Sequence, residues 1–121
     1  MKSKNFFKSL SNAFFGIRET AKRERNFRIQ IIIACIIVLV CIIFQVNTQL
    51  FILVAFAIFF VLASELINTA IEAVVDLVCG TKLHPLAKIA KDASAGAVLL
   101  ASAFSVVVGI VLAADIIRRF V

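Results

Sequence analysis

Three apolar runs, at about residues 29–46, 50–78 and 93–117, leave this chain few folds to choose from. Each reaches roughly the 20 residues that an α-helix needs to cross a hydrocarbon core of about 30 Å. A soluble helix returns polar residues to one face at every turn, and here they vanish for long stretches. At 63% hydrophobic residues and a mean hydropathy of +1.10, a chain of 121 residues is too apolar for a water-soluble domain. The expected fold is an all-α membrane protein. An amphipathic surface helix over residues 1–28 precedes a single domain of three transmembrane helices, residues 29–121.

The cations orient it. Eight of the 13 Lys and Arg (Lys2, Lys4, Lys8, Arg18, Lys22, Arg23, Arg25, Arg28) precede the first run, and Lys82, Lys88 and Lys91 lie between the second and third. The turn expected at Asn47-Thr48-Gln49 carries none, and only Arg118 and Arg119 dissent. The positive-inside rule therefore places the N-terminus and the second connection in the cytoplasm. Within the basic stretch 4–25, Phe6, Phe7, Leu10, Phe14, Ile17 and Ala21 recur at helical spacing, as in helices that lie at the headgroup boundary. Such a helix can be an anchor, a lid over a site, or both.

The second run breaks its own rule. Glu65, Asn68, Glu72 and Asp76 stand 3, 4 and 4 residues apart, which aligns them in one stripe down a helix. A charge at bilayer depth costs about 2.5–3.5 kcal/mol even on the gentler insertion scales, so the stripe needs partners or a purpose. Polar residues can simply glue helices together, but that rarely takes three carboxylates on one face. The stripe descends about 16 Å toward the cytoplasmic side, where Glu24 and Lys91-Asp92 also fall. All the unusual polar residues converge on one leaflet.

Carboxylates a turn or two apart, joined by another from a neighbouring helix, suit magnesium, which keeps several waters and bridges carboxylates to nucleotide phosphates. A further carboxylate beside an asparagine suits a general base toward a hydroxyl. Phosphoryl transfer asks chiefly for positioning and charge neutralisation, which Lys91 and the cationic N-terminal helix would assist. Gly16, Gly80, Gly96 and Gly109 are scattered, so no P-loop or glycine-rich kinase loop is present. Cys35, Cys41 and Cys79 have no Cys-x-x-Cys spacing and no histidine cluster, and read as small apolar side chains. Gly80 is placed to close the second helix, and Pro85 holds His84 out of helical geometry. His84 is either a phosphate or headgroup contact or a solvated loop residue.

The run Glu65-Leu66-Ile67-Asn68-Thr69-Ala70-Ile71-Glu72-Ala73-Val74-Val75-Asp76 resembles the E-x-x-N-x-A-x-E-x-x-x-D signature of the small bacterial membrane diacylglycerol kinases. The stretch from His84-Pro85-Leu86-Ala87-Lys88 through Lys91-Asp92 to Val98 is similar to a second block of that family, and Glu24-Arg25-Asn26-Phe27-Arg28 to a third. The resemblance spans nearly the whole chain in matching order. Its Asn26-Phe27 pair and the His84-Pro85 stretch look most like the Gram-positive branch, whose members are undecaprenol kinases.

By position, the resemblance implies that Glu65 is the base toward the lipid hydroxyl and that Asn68 places that hydroxyl. It implies Glu24 and Glu72 as ligands of magnesium on ATP, with Asp76, Lys91, Asp92, His84 and Asn12 on the nucleotide side. Asn12 stands where the enterobacterial branch has an aromatic residue. The resemblance also implies a homotrimer with sites between subunits, in a bacterial cytoplasmic membrane, and no nucleic-acid partner. Two alternatives stay open on acceptor and class: a diacylglycerol kinase making phosphatidic acid, and a small proton or cation conductor, for which an acidic membrane stripe is also suited. An adaptor subunit would leave the stripe without a purpose.

Overall fold

The computed structural model describes residues 5–121, all of whose regular structure is helical. Lys2 and Lys4, counted above among the orienting cations, lie outside the described residues. Four helices follow in order: α1 (Phe6–Arg23), α2 (Arg25–Ile43), α3 (Thr48–Cys79) and α4 (Pro85–Phe120). The last three are long and apolar enough to span a membrane. The expected all-α fold with a preceding helix is what the chain adopts.

The ends of the helices differ from the expected ones for local reasons. The turn expected at residues 47–49 sits instead at residues 44–47. Val46 N–H donates to Cys41 O and Gln45 N–H to Ile42 O, each at 3.2 Å, which closes α2 in a Schellman motif. Gln45 takes the left-handed position (φ 50°) that this motif requires. Asn47 then starts α3 by accepting the Leu50 N–H at 2.8 Å, so Thr48 and Gln49 are already helical. The helix that carries the third apolar run begins at Pro85, ahead of that run's start near residue 93. Pro85 occupies the first turn, where its missing N–H costs nothing, and His84 (φ −132°, ψ 135°) becomes the N-cap. At 32 and 36 residues, α3 and α4 are about 48 and 54 Å long, well beyond a hydrocarbon core of about 30 Å. Their polar ends therefore project past the lipid tails.

α3 and α4 pack antiparallel along most of their length, with Ala57 opposite Ser105 (Oγ to the Ala57 carbonyl, 3.4 Å) and Asn68 opposite Ser94. Small side chains let them approach: Ala101 is wholly buried, and Ala57, Ser64 and Ser94 nearly so. The apolar core is Cys41, Leu50, Val54, Ala57, Val108 and Leu112, and beside it the Phe104 ring meets Phe56 and Phe60 edge to face. At the far end, Asp115 is forked by Arg118 (3.1 Å) and Arg119 (3.2 Å) while Arg119 also donates to the Phe44 carbonyl at 2.7 Å. That fork ties α4 to the α2–α3 turn, as befits a span end.

Most large apolar side chains face outward, including Phe6, Phe7 and Phe14 on α1 and Phe59, Leu77 and Leu99 on the spans. Even in the best-packed span only 28% of the apolar window is buried within the chain. Lipid, further copies of the chain, or both must cover the rest.

Candidate active site

The site begins at a corner. α1 and α2 are separated by one residue, Glu24, whose extended backbone (φ −109°, ψ 112°) turns the chain between two helices. Neither glycine nor proline forces the break. Arg28 holds it, donating through Nη1 to the carbonyls of Ala21 (2.9 Å) and Lys22 (3.0 Å), which the end of α1 leaves unpaired. Glu24 N–H closes the last turn on Thr20 O at 2.8 Å. Phe27, 1% exposed, anchors the first turn of α2, and Thr20 is buried beside the corner. Glu24 is thus a half-buried carboxylate fixed by backbone geometry.

Glu65, on α3, is only 5% exposed. The side chain of Gln30 on α2 reaches its carboxylate, and the charges that reach it are Glu24 and Glu72. One and two turns further along α3, Asn68 is held on both sides. Its Nδ2 donates to Glu72 Oε1 at 3.2 Å, and its Oδ1 accepts from the Ser94 hydroxyl at 2.7 Å across the α3–α4 interface. Ser94 is buried and also reaches the Lys91 carbonyl at 3.0 Å. This leaves Asn68 a fixed bridge that orients Glu72.

Among the described residues no ion pair neutralises Glu24, Glu65 or Glu72. Nor do three or more His, Cys, Asp or Glu side chains close up into a metal-binding group. A pair of hard oxygen donors with uncompensated charge fits a divalent cation that brings most of its ligands with it, as magnesium on a nucleotide does.

The remaining expected residues form a second group at the end of the α3–α4 pair. Lys91 Nζ lies 2.7 Å from Asp76 Oδ1, and Lys88 pairs with Asp92 one turn apart. Asp76, His84, Lys88, Lys91 and Asp92 line a cleft around the connection from Thr81 to Pro85. Lys91, read from sequence as a phosphate contact, is ion-paired here, and Asp76 is its partner. His84 Nδ1 accepts the Leu86 N–H at 3.0 Å, a helix-capping role that neither sequence reading of this residue foresaw. Asn12 lies exposed on α1, about 18 Å along the helix from Glu24.

Three side chains around the acidic group were not singled out from sequence: Gln30, Arg28 and Ser94. A second, apolar cleft of about 290 Å³ runs between α2 and the α3–α4 pair, from Leu112 and Val54 at one end to Gln30 at the other. Its polar end is therefore the side chain that bonds Glu65.

The profile of prokaryotic diacylglycerol kinases matches residues 11–113. An undecaprenol kinase of Bacillus subtilis is 40% identical over 107 residues, covering 88% of this chain and 86% of that protein. A diacylglycerol kinase of Synechocystis is 38% identical over 87% of this chain, which spans only 60% of that longer protein. A diacylglycerol kinase of Haemophilus influenzae is 34% identical over 71% of this chain and 72% of its own length. A match that runs from α1 to the last turns of α4 takes in every element that builds the acidic group, and this chain belongs to the prokaryotic diacylglycerol kinase family.

Proposed function

We propose that this chain transfers the γ-phosphoryl group of ATP to the terminal hydroxyl of undecaprenol at the cytoplasmic face of a bacterial inner membrane. As a member of its family it is a lipid kinase, a phosphotransferase with an alcohol acceptor. The choice of undecaprenol rests on the similarity to the Bacillus subtilis enzyme along most of both chains. The observation that carries the chemistry is Glu65: a buried, unneutralised carboxylate beside the polar end of an apolar cleft.

Glu65 takes the proton from the lipid hydroxyl as its oxygen attacks the γ-phosphorus; the bond to the bridging oxygen breaks and ADP leaves. The lipid approaches sideways, its tail in hydrocarbon, while the nucleotide comes from water. Glu65 lies about 10 Å deeper along α3 than Glu72, which matches those two directions of approach. Glu24 and Glu72 would hold magnesium, which when bound neutralises charge on the phosphates. Asn68, fixed by Ser94, sets the direction of the Glu72 carboxylate and stands one turn from Glu65. Asp76, His84, Lys91 and Asp92 line the cleft at which the nucleotide would enter, and the Lys91–Asp76 pair would open or share its charge with phosphate. Asn12 would join them from the surface helix. We place the N-terminus on the cytoplasmic side because the cations cluster there, and we propose a homotrimer to cover the exposed apolar faces of the spans.

A cation conductor would need polar groups along the whole span. Among the described residues the unneutralised carboxylates gather at one end, and Asp115 at the other is forked by two arginines.

Purified protein given undecaprenol and diacylglycerol in direct competition should favour undecaprenol in kcat/KM, the ratio that reports differential transition-state binding. Equal or better phosphorylation of diacylglycerol would replace the polyprenol reading with the phosphatidic acid one.

Ser94→Ala removes one donor from Asn68. A net hydrogen bond is worth about 0.5–1.5 kcal/mol, so kcat should fall by up to about tenfold. Wild-type turnover in this variant would mean that Asn68 is held by Glu72 alone.

A further inference from the structure

Gln30 carries a buried side-chain oxygen, Oε1, with no hydrogen-bond partner, the only such side-chain atom among the described residues. The same side chain reaches the Glu65 carboxylate, toward which only its N–H can donate. A buried carbonyl without a partner loses its hydration and gains nothing in exchange, so its persistence next to the deepest carboxylate wants a reason. It also sits where the apolar cleft ends, with Ile33, Ala34 and Ile37 following it along α2.

We propose that Gln30 is the positioning residue for Glu65, an amide that can serve that carboxylate both before and after it receives the substrate proton. This rests on the reading of Glu65 as the base. An ionised carboxylate only accepts hydrogen bonds, whereas a protonated one also has an O–H to donate. An amide has one end for each state. With the N–H toward Glu65, Gln30 fixes the orientation of the charged base against the repulsion of Glu24 and Glu72. Turned about its last torsion, it offers the idle Oε1 to the carboxyl O–H once the proton has moved. A methionine of the same length fills the space and can do neither.

Gln30→Met should lower kcat about tenfold while the KM for ATP stays within twofold, because the nucleotide is held elsewhere. A kcat within twofold of wild type overturns the proposal, as does a loss that lies wholly in the KM for ATP. A measurement on the native chain keeps the question open to refutation even if that variant folds poorly. The sequence has three glutamines, Gln30, Gln45 and Gln49, so selective ¹⁵N labelling gives three side-chain amide pairs. Glu65→Ala should shift the Gln30 pair and leave the Gln45 and Gln49 pairs in place; an unmoved Gln30 pair overturns the proposal. Failure of the underlying reading looks different. If Glu65→Gln keeps full turnover, Glu65 is not the base, whatever the amide of Gln30 does.

Discussion

Glu65→Gln should lose activity by about a hundredfold or more while the protein folds and inserts as before. General-base catalysis contributes about 10²–10⁴, and glutamine keeps the shape of the side chain while removing its basicity. The environment of residue 65 favours survival of the fold. A buried carboxylate that feels two like charges is replaced by a neutral amide, which removes a repulsion. Turned about its last torsion, Gln30 can offer its idle Oε1 to the new amide, so the substitution gives that buried acceptor a donor. Thermal stability in detergent or bilayer should therefore hold or rise as turnover collapses.

That opposition makes the result decisive. Loss of both activity and stability would point to a structural carboxylate, and near-wild-type turnover would remove Glu65 from the chemistry. The measurement is ATP-dependent phosphorylation of undecaprenol alongside a thermal melt of the same preparation.

How much of this could be read from sequence follows from what holds each residue in place. The spans were legible because hydropathy alone sets them, and the stripe because Glu65, Asn68, Glu72 and Asp76 share one helix and one spacing. Ser94 was not, because its role depends on the register between α3 and α4, which pairs residue 94 with 68 and 105 with 57. No local pattern encodes that register; it follows from where small side chains let two long helices approach. Gln30 was not legible either, since the carboxylate it reaches lies on another helix. Arg28 was counted as one more cation on the inner side, yet its guanidinium closes the end of α1 and so fixes Glu24. Nothing in Lys22-Arg23-Glu24-Arg25-Asn26 marks a helix break by composition. His84 was half legible: a following proline disfavours helical geometry, and the extended geometry it leaves is that of an N-cap.

Glu24→Gln and Glu72→Gln should each raise the magnesium concentration needed for half-maximal activity by about tenfold or more, and the double variant should be little worse than either alone. The two residues are far apart in sequence, one at the α1–α2 corner and one on α3, but both act on Glu65. If they hold one ion, removing either ligand breaks the site, and the second loss finds little left to remove; groups that act as a unit are not additive. Both substitutions spare their surroundings. Glutamine at 72 keeps an Oε1 to accept from Asn68 Nδ2, so the link through Asn68 to Ser94 stays intact. Glutamine at 24 leaves the backbone corner untouched, because Arg28 clamps carbonyls of Ala21 and Lys22 and not the Glu24 side chain. A general unfolding would lower activity at every magnesium concentration, whereas loss of a ligand is recovered in part as magnesium is raised. Magnesium titrations of the four proteins at fixed ATP separate the two. Independent, multiplicative effects, or titrations that superimpose on wild type, would refute a shared ion and leave Glu24 and Glu72 as separate negative charges around the base.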